Sequence, residues 1–239
     1  MPSVPDDVAR FRANYRGQNV GRHYRGWLHF AFTSTASLLA VVLAAAQVSA
    51  VRPWEWLTIP VGFLVANLAE YLGHRGPMHH PVPGLRLLHR RHTLEHHRFF
   101  VPESMAVEST EDFTATLFPW YMVLFFLGAI AAPLAALLFL VTTANVGWLF
   151  CATAVGYFLC YEWLHFTWHQ PDDGVIGRLR AVRFLRRHHR LHHDRALMTK
   201  ANFNITFPIW DIVLSSNVTD SSAQASAQAQ AASASAIER

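Results

Sequence analysis

The longest uncharged stretch of the chain covers residues 113–161 and contains no Asp, Glu, Lys or Arg. A helix needs about 20 apolar residues to cross a bilayer, so this stretch is too long for one span and long enough for two. Residues 141–145, with two threonines and an asparagine, are the predicted turn between them. The sequence therefore predicts a membrane hairpin with spans at about 116–140 and 144–165.

A second hairpin is predicted nearer the N-terminus. Residues 26–51 are uncharged, which is longer than the apolar core of about 7–15 residues in a signal peptide and favours an uncleaved span. After a short turn at residues 52–55, a second apolar segment follows, and Trp54 and Trp56 suit a membrane interface. We expect spans at about 27–50 and 56–73.

The basic residues lie on one side of these four spans. All but two of the 20 Lys and Arg residues fall in residues 1–25, 73–112 and 166–200, which four spans place on the same face. The positive-inside bias makes that face cytosolic, together with both termini. The net charge of +4 alone could suggest nucleic acid, but this distribution predicts a membrane protein without a nucleic-acid partner.

The predicted fold is all-α and integral to the membrane, with four transmembrane helices as two hairpins and a cytosolic, histidine-rich helical cap. Its parts are a basic cytosolic N-terminal segment at residues 1–25, a membrane domain at 26–214 and a disordered tail rich in Ser, Ala and Gln at 215–239. Cys151 and Cys160 lie in an apolar run and face different ways on a helix, so we expect no disulfide.

Histidines are concentrated in four clusters on the predicted cytosolic face. The clusters are an HxxxxH at the end of the second span, an HxxxHH, an i,i+4 pair at the end of the fourth span, and an HxxHH. In an α-helix, His92 and His96 would share one face with His97 beside them. The ten candidate metal ligands are His74, His79, His92, His96, His97, His165, His169, His189, His192 and His193.

Ten imidazoles are too many for one ion, because a zinc site closes at four ligands. Two ions with about five imidazoles each fit the number. Imidazole suits Fe, Zn, Cu and Ni, so the type of ligand leaves the metal open. Ferritin-like di-iron sites use carboxylates and paired ExxH motifs, and only Glu162 and His165 have that spacing here, so we expect no carboxylate-bridged site.

The order HxxxxH, HxxxHH and HxxHH around two membrane hairpins resembles the fatty acid hydroxylase and sterol desaturase superfamily. The resemblance covers roughly residues 70–214 and includes the segment NFNITFPIWD at residues 202–211. The family often follows its last Asp with a Gly-Thr pair, where this chain has Ser215, Ser216 and Asn217. By the same matching His80, His89 and His188 are additional histidines, for which we expect an outer-layer or surface role.

The resemblance implies a membrane-bound di-iron oxidoreductase of the monooxygenase type, whose catalytic domain is the part at residues 26–214. It implies two iron ions, with zinc possible in purified protein, O2 as co-substrate, and hydroxylation or desaturation of an unactivated C–H position of a lipid from the bilayer. Electrons would come from a separate electron-transfer protein, since the sequence has no Gly-rich dinucleotide motif. The lipid, the position oxidised and the choice between the two reactions stay open.

Two other function classes stay open at the level of sequence. His92, Glu95 and His96 match HxxEH, the inverted zincin motif, with Glu95 as a candidate base. A membrane zinc metallopeptidase would use three histidines and leave the others without a role. A metal-binding transporter is the non-enzymatic alternative, but transport sites lie at bilayer depth, whereas these histidines lie at the ends of spans.

Overall fold

The computed structural model describes residues 4–171 and 176–222. Within these residues the chain is helical, and its only β-type pairing is an isolated bridge between Val101 and Ser104. Four helical stretches are long and apolar enough to cross a membrane, which confirms the all-α class and the four predicted spans. These stretches are Gly26–Ala45, Pro53–Met78, Thr110–Val141 and Ala144–Trp168.

The first half of the chain contains an N-terminal helix and two spans. Helix α1 is Asp6–Asn19 and helix α2, the first span, is Gly26–Ala45. A 3₁₀ turn at Pro53–Leu57 leads into α3 (Thr58–Gly73), which continues into a π-helical turn at His74–Met78. The second span is therefore longer than the predicted 56–73, because helical structure extends through the first histidine cluster.

The cap begins with one helical stretch made of three parts. These are α4 (Arg86–His89), a π-helical segment at Arg90–His96 and α5 (His97–Phe99). Two further cap helices follow the fourth span. They are α10 (Arg180–His192) and α11 (Ile209–Val213), which enclose the clustered histidine side chains with the cap helices that precede them.

The third span is interrupted. It contains a 3₁₀ turn at Thr110–Asp112, α6 (Phe113–Thr116), α7 (Trp120–Phe125), a π-helical segment at Phe126–Ala131 and α8 (Ala132–Val141). Between α6 and α7 the backbone is extended, with ψ of 145° at Leu117 and 140° at Pro119. Pro133 does not end the span, because it lies just after the π-helical segment, and such a local adjustment lets a membrane helix accommodate proline.

Helix α9 (Ala144–Trp168) is the centre of the bundle. It packs against α2, α3 and α8, and α2 and α3 each contact α9 more extensively than they contact each other. Its share of buried residues is also the largest among the four spans. This packing holds the end of α9, with His165, beneath the cap.

The two connections between paired spans meet at the end of the bundle away from the cap. The buried carboxylate of Glu55 accepts hydrogen bonds from the Thr143 hydroxyl at 2.5 Å and from the Asn145 amide at 3.0 Å. Asn145 also exchanges two hydrogen bonds with the backbone of Ser49. The histidines and the span-to-span turns are therefore at opposite ends of the molecule.

Candidate metal centre

All ten predicted ligands are buried, and their ring nitrogens converge on two neighbouring points. In each of two groups, one ligand atom per residue lies within 4.8 Å of the others. The first group contains His74, His79, His92, His97 and His192. The second contains His96, His165, His169 and His189, and His193 joins it, with its Nε2 3.2 Å from that of His96 and 3.1 Å from that of His189.

The π-helical turn at Arg90–His96 explains how neighbouring histidines are divided between the two groups. A π-helix brings residues i and i+5 together, in the way an α-helix brings together i and i+4. His92 and His97 accordingly share the first group, with their Nε2 atoms 3.0 Å apart. His96 lies beside His92 as helical spacing predicts, with the ring centroids 5.3 Å apart, but it belongs to the second group.

The other two sources of ligands follow ordinary α-helical spacing. His165 and His169, one turn apart at the end of α9, both belong to the second group. His189 on α10 and His193, which directly follows α10, face the second group, while His192 faces the first. Helix α10 therefore contributes to both groups, and it fixes their relative positions.

Backbone carbonyls orient five of the ten rings through Nδ1. A carbonyl oxygen can only accept, so Nδ1 carries the proton and Nε2 of a neutral ring is a bare lone pair. Such bonds orient ligating histidines in metal sites and fix their tautomer. The pairs are His74 with Phe203 at 2.5 Å, His96 with Ala115 at 2.8 Å, His169 with Met105 at 2.8 Å, His192 with Ala201 at 2.9 Å and His193 with Phe100 at 2.7 Å.

The ring nitrogens of each group lie at distances that fit ligands around one cation. In the first group the Nε2 atoms of His74 and His92 are 2.8 Å apart. In the second group the Nε2 atoms of His96 and His193 are 3.2 Å apart, and both of these rings give their Nδ1 protons to carbonyls. Two bare lone pairs at this distance repel, whereas ligands at about 2.0–2.1 Å around one ion are separated by about 3 Å. The donor set in both groups therefore fits a bound transition-metal ion.

The cap keeps these rings uncharged. Burial lowers the pKa of His96 and of His192 to about 4. Burial, followed by the neighbouring His192, lowers the pKa of His79 to about 2. A neutral imidazole is the form that binds a metal, so the rings are ready to act as ligands at neutral pH.

A second layer of polar side chains holds the segment at residues 202–211, and sequence reasoning did not assign it a role. The carboxylate of Asp211 accepts hydrogen bonds from the N–H groups of Phe203 at 2.9 Å and Asn204 at 2.7 Å, and from the Ser216 hydroxyl at 2.7 Å. Burial raises the pKa of Asp211, but these bonds and the nearby His188 outweigh it and lower the pKa below its ordinary value. The available signal was the Asp in the first turn of α11.

Glu70 ties the same segment to the second span. Its carboxylate accepts the N–H groups of Ile205 at 2.7 Å and Thr206 at 3.1 Å, as well as the hydroxyls of Thr206 and Tyr157. The segment in turn supplies the carbonyl of Phe203 to His74. Glu70, one helical turn before His74, therefore positions a ligand of the first group without joining the group.

The end of this segment lies within the predicted tail. Ser215 has a φ of 57°, in the left-handed region that glycine adopts more readily than other residues. The N–H groups of Ser216 and Asn217 both reach the carbonyl oxygen of Asp211, at 2.8 and 3.0 Å. Residues 215–217 thus close the segment, and residues 223–239 of the predicted tail lie outside the described residues.

The three additional histidines do not belong to either group. His80 is exposed and His89 is half-buried. His188 is buried, with its Nε2 3.4 Å from a carboxylate oxygen of Asp211, which is a contact between charges when the ring is protonated. His188 therefore contacts the layer behind the first group, while His80 and His89 are peripheral.

A small cavity of about 40 Å³ adjoins the metal-binding rings. It reaches three imidazoles, those of His92, His96 and His165, and is otherwise lined mainly by apolar side chains such as Met78 and Met122. Residues 117–119, the extended break in the third span, form one wall. Non-helical backbone at membrane depth is tolerated where it lines a cavity, so the break gives the rings an apolar opening.

Glu95, the candidate base of the HxxEH motif, belongs to neither histidine group. Its carboxylate forms ion pairs with Arg90 at 3.0 Å and with Arg91 at 2.9 Å. In the described part of the chain, both metal-binding groups consist of histidines alone. The arrangement is therefore that of two all-imidazole sites, without the adjacent carboxylate base that a zincin needs.

Comparisons with known proteins agree with this geometry. A model of the fatty acid hydroxylase family matches residues 59–216, well over half of the chain and including all ten converging histidines. A solved structure of full-length scs7p, with only the hydroxylase domain visible, is similar with a TM-score of 0.59 and 20% sequence identity. That match covers 80% of this chain and 67% of the other, and at such identity it shows the fold alone. A comparison with curated protein sequences gave no match.

Proposed function

The chain belongs to the fatty acid hydroxylase family, and from that premise we propose that it is a membrane-bound, O2-dependent di-iron oxidoreductase acting on a lipid. The reaction would be hydroxylation, or alternatively desaturation, at an unactivated C–H position. The observation that carries the proposal is the convergence of ten buried imidazoles into two adjacent groups, in which carbonyls leave the Nε2 atoms of five rings free for a metal.

Two metal ions follow from the two groups, with five imidazoles for each. When bound, iron would supply the activation of O2 and the oxidation of the C–H bond, while the protein supplies binding and orientation. Imidazole ligands also accept zinc, so zinc in purified protein would be compatible with the same residues. The family relationship favours iron as the metal of the active enzyme.

The chain's own residues orient the ligands and exclude water. Carbonyls of residues 100–115 and 201–203 fix Nδ1 on five rings and leave Nε2 free for a metal. The apolar cavity beside His92, His96 and His165 would receive the reacting part of an acyl or isoprenoid chain. Met122, on the wall of this cavity, belongs to a span, so the substrate would enter from the bilayer.

We propose that a second protein supplies the electrons. In the described residues no third group of metal-binding side chains accompanies the two histidine groups. Cys151 and Cys160 are both free thiols on the fourth span. A separate electron-transfer protein is therefore the proposed partner.

We further propose that the cap and both termini face the cytosol. The basic segments flank the histidine-bearing ends of the spans, while the turns around Glu55 and Asn145 lie at the other end. The positive-inside bias makes the basic end cytosolic. This orientation would give a soluble electron carrier access to the cap.

The rival classes fit these contacts less well. A zinc peptidase would need Glu95 beside the metal, but that carboxylate is paired with Arg90 and Arg91. A transporter would need ligands that release the ion along a path across the bilayer, whereas these rings are locked to backbone carbonyls at the ends of spans. Both observations support the enzyme.

Lipidomics of cells with and without the gene tests the proposal. The enzyme predicts a lipid that has gained one oxygen atom, or lost two hydrogen atoms, only when the gene is present. A His96→Ala strain is the matched control, because it should lose the product while keeping the protein in the membrane. Unchanged lipids in the producing strain, together with a metal-loaded protein, would contradict the proposed reaction.

A further inference from the structure

We propose that Arg12 on α1 is a positioning residue for the second histidine group, so that the N-terminal helix is part of the metal site. This inference rests on the proposed function, because it concerns the affinity for one of the two metal ions. Arg12 lies outside residues 59–216, the part matched by the family model. Sequence reasoning treated it only as one of the basic residues that set the topology.

Arg12 is buried although it lies on a basic, predominantly polar helix. Only 1% of it is exposed, and its guanidinium makes three hydrogen bonds. Nε donates to the Phe99 carbonyl at 2.9 Å, Nη2 to the Ser104 carbonyl at 2.7 Å, and Nη1 to the Glu108 carboxylate at 2.6 Å. A charge is buried this deeply only when it is paired and hydrogen-bonded, so the site is built around this side chain.

Each carbonyl that Arg12 holds is followed by a carbonyl that holds a metal-binding ring. After Phe99 comes Phe100, whose carbonyl accepts Nδ1–H of His193 at 2.7 Å. Phe100 is extended, with φ of −111° and ψ of 119°, so consecutive carbonyls point in opposite directions. One carbonyl therefore faces Arg12 while the next faces the metal site.

The same relation recurs five residues later. Arg12 holds the carbonyl of Ser104, and the carbonyl of Met105 accepts Nδ1–H of His169 at 2.8 Å. His169 and His193 both belong to the second group. A single guanidinium thus fixes two backbone positions that orient two rings of one group, and neither of these rings belongs to the first group.

Neighbouring residues hold Arg12 in place. The other oxygen of Glu108 pairs with Arg16 at 2.7 Å, and Arg16 also pairs with the buried Asp112 at 2.7 Å. Burial raises the pKa of Glu108, but hydrogen bonds from Arg16 and Arg12 outweigh it and hold that pKa below its ordinary value. These ion pairs keep α1 fixed against the loop that carries the two carbonyls.

A lysine could not replace this side chain. The guanidinium is a planar fork whose N–H groups point in three fixed directions, while an ammonium is a compact point charge. Arg12 also lies 5.0 Å from the Phe99 ring centroid, where a planar cation stacks well. Only arginine fits this geometry, whereas a residue that serves membrane topology alone could be arginine or lysine.

The test compares Arg12→Gln with Arg10→Gln, an exposed arginine on the same helix. Each purified chain is reconstituted anaerobically with Fe2+, and the affinity for each ion is measured by competition with a chelator. For Arg12→Gln we expect one ion to bind about 10- to 100-fold more weakly, the usual effect of losing an outer-layer partner. The other ion, and both ions of Arg10→Gln, should bind as in the parent.

A combined variant assigns the weakened ion to its group. Arg12→Gln with His96→Ala, which already lacks a second-group ligand, should still hold one ion tightly. Arg12→Gln with His192→Ala should hold none tightly. If Arg12→Gln weakens both ions equally, or neither, the inference is wrong.

Glu108→Gln provides the test if Arg12→Gln fails to fold. It removes the charge that anchors Nη1 and leaves Arg12 itself in place, so a smaller loss confined to one ion is expected. Parent-like binding of both ions by Glu108→Gln would then overturn the inference. A parent protein that never binds two ions would instead contradict the proposed function, which keeps the two failures distinguishable.

Discussion

His96 and His193 point their Nε2 atoms at each other across 3.2 Å, although both rings donate their Nδ1 protons elsewhere, to the carbonyls of Ala115 and Phe100. Neither Nε2 has a proton to share, so this contact repels unless a cation lies beside it. The Phe100 carbonyl directly follows α5, and the Ala115 carbonyl belongs to α6, at the start of the third span. These backbone hydrogen bonds therefore leave the Nε2 lone pairs of both rings free, which is the arrangement that a metal site needs.

The two groups should lose metal independently when one ligand is removed. His96→Ala takes a ligand from the second group, and His192→Ala takes one from the first. Each variant should lose one of two ions and all turnover, because the chemistry needs both. Iron content and product formation of the purified variants are the measurements.

His89→Ala is the control for that experiment. The ring is half-buried and belongs to neither group, so this variant should keep both ions and most of the activity. Loss of metal from His89→Ala as complete as that from His96→Ala would show that the assignment of ten ligands is incorrect.

Asp211→Asn should weaken the first group through the backbone. The carboxylate fixes the N–H of Phe203, whose carbonyl orients His74. We expect about 10- to 100-fold weaker binding of one ion, measured by competition with a chelator. Asp220→Asn is the matched control, since Asp220 pairs at the surface with the exposed Arg187. Equal binding by the two variants would exclude the positioning role of Asp211.

Filling the cavity should slow turnover without removing metal. Met122 is buried and lines the cavity beside the imidazoles, whereas Leu124 on the same helix is 66% exposed. Met122→Trp should lower the rate of product formation by about 10- to 200-fold, the range for a steric change in an apolar pocket. Leu124→Trp should have little effect. A loss of iron from Met122→Trp would indicate a structural defect and contradict this prediction.

The proposed orientation of the bundle predicts on which side of the membrane a reporter fused to each turn or terminus lies. Fusions at residue 54 and near residue 143 should report the outside of the cell membrane, because both turns meet around Glu55 at the end away from the cap. Fusions at either terminus should report the cytosol. A cytosolic signal from either turn would contradict the four-span orientation.

Much of the site could be predicted because charge and histidine spacing are local properties of the sequence. The uncharged residues 113–161 allowed two spans, and the four histidine clusters contain the ten rings that converge. The division of His92 from His96 could not be predicted, because it depends on a π-helical turn and α-helical spacing was assumed. Arg12 was missed because its three hydrogen-bond partners lie about 90 residues away in the sequence.

Metal analysis of protein purified without oxygen tests the central claim most directly. Two groups of five imidazoles predict two ions per chain, with iron in the active form and O2-dependent product formation that follows the iron content. The matched sample is His96→Ala, which should hold one ion and form no product. A reproducible single zinc per chain, with no activity that depends on iron, would contradict the di-iron account and favour the peptidase.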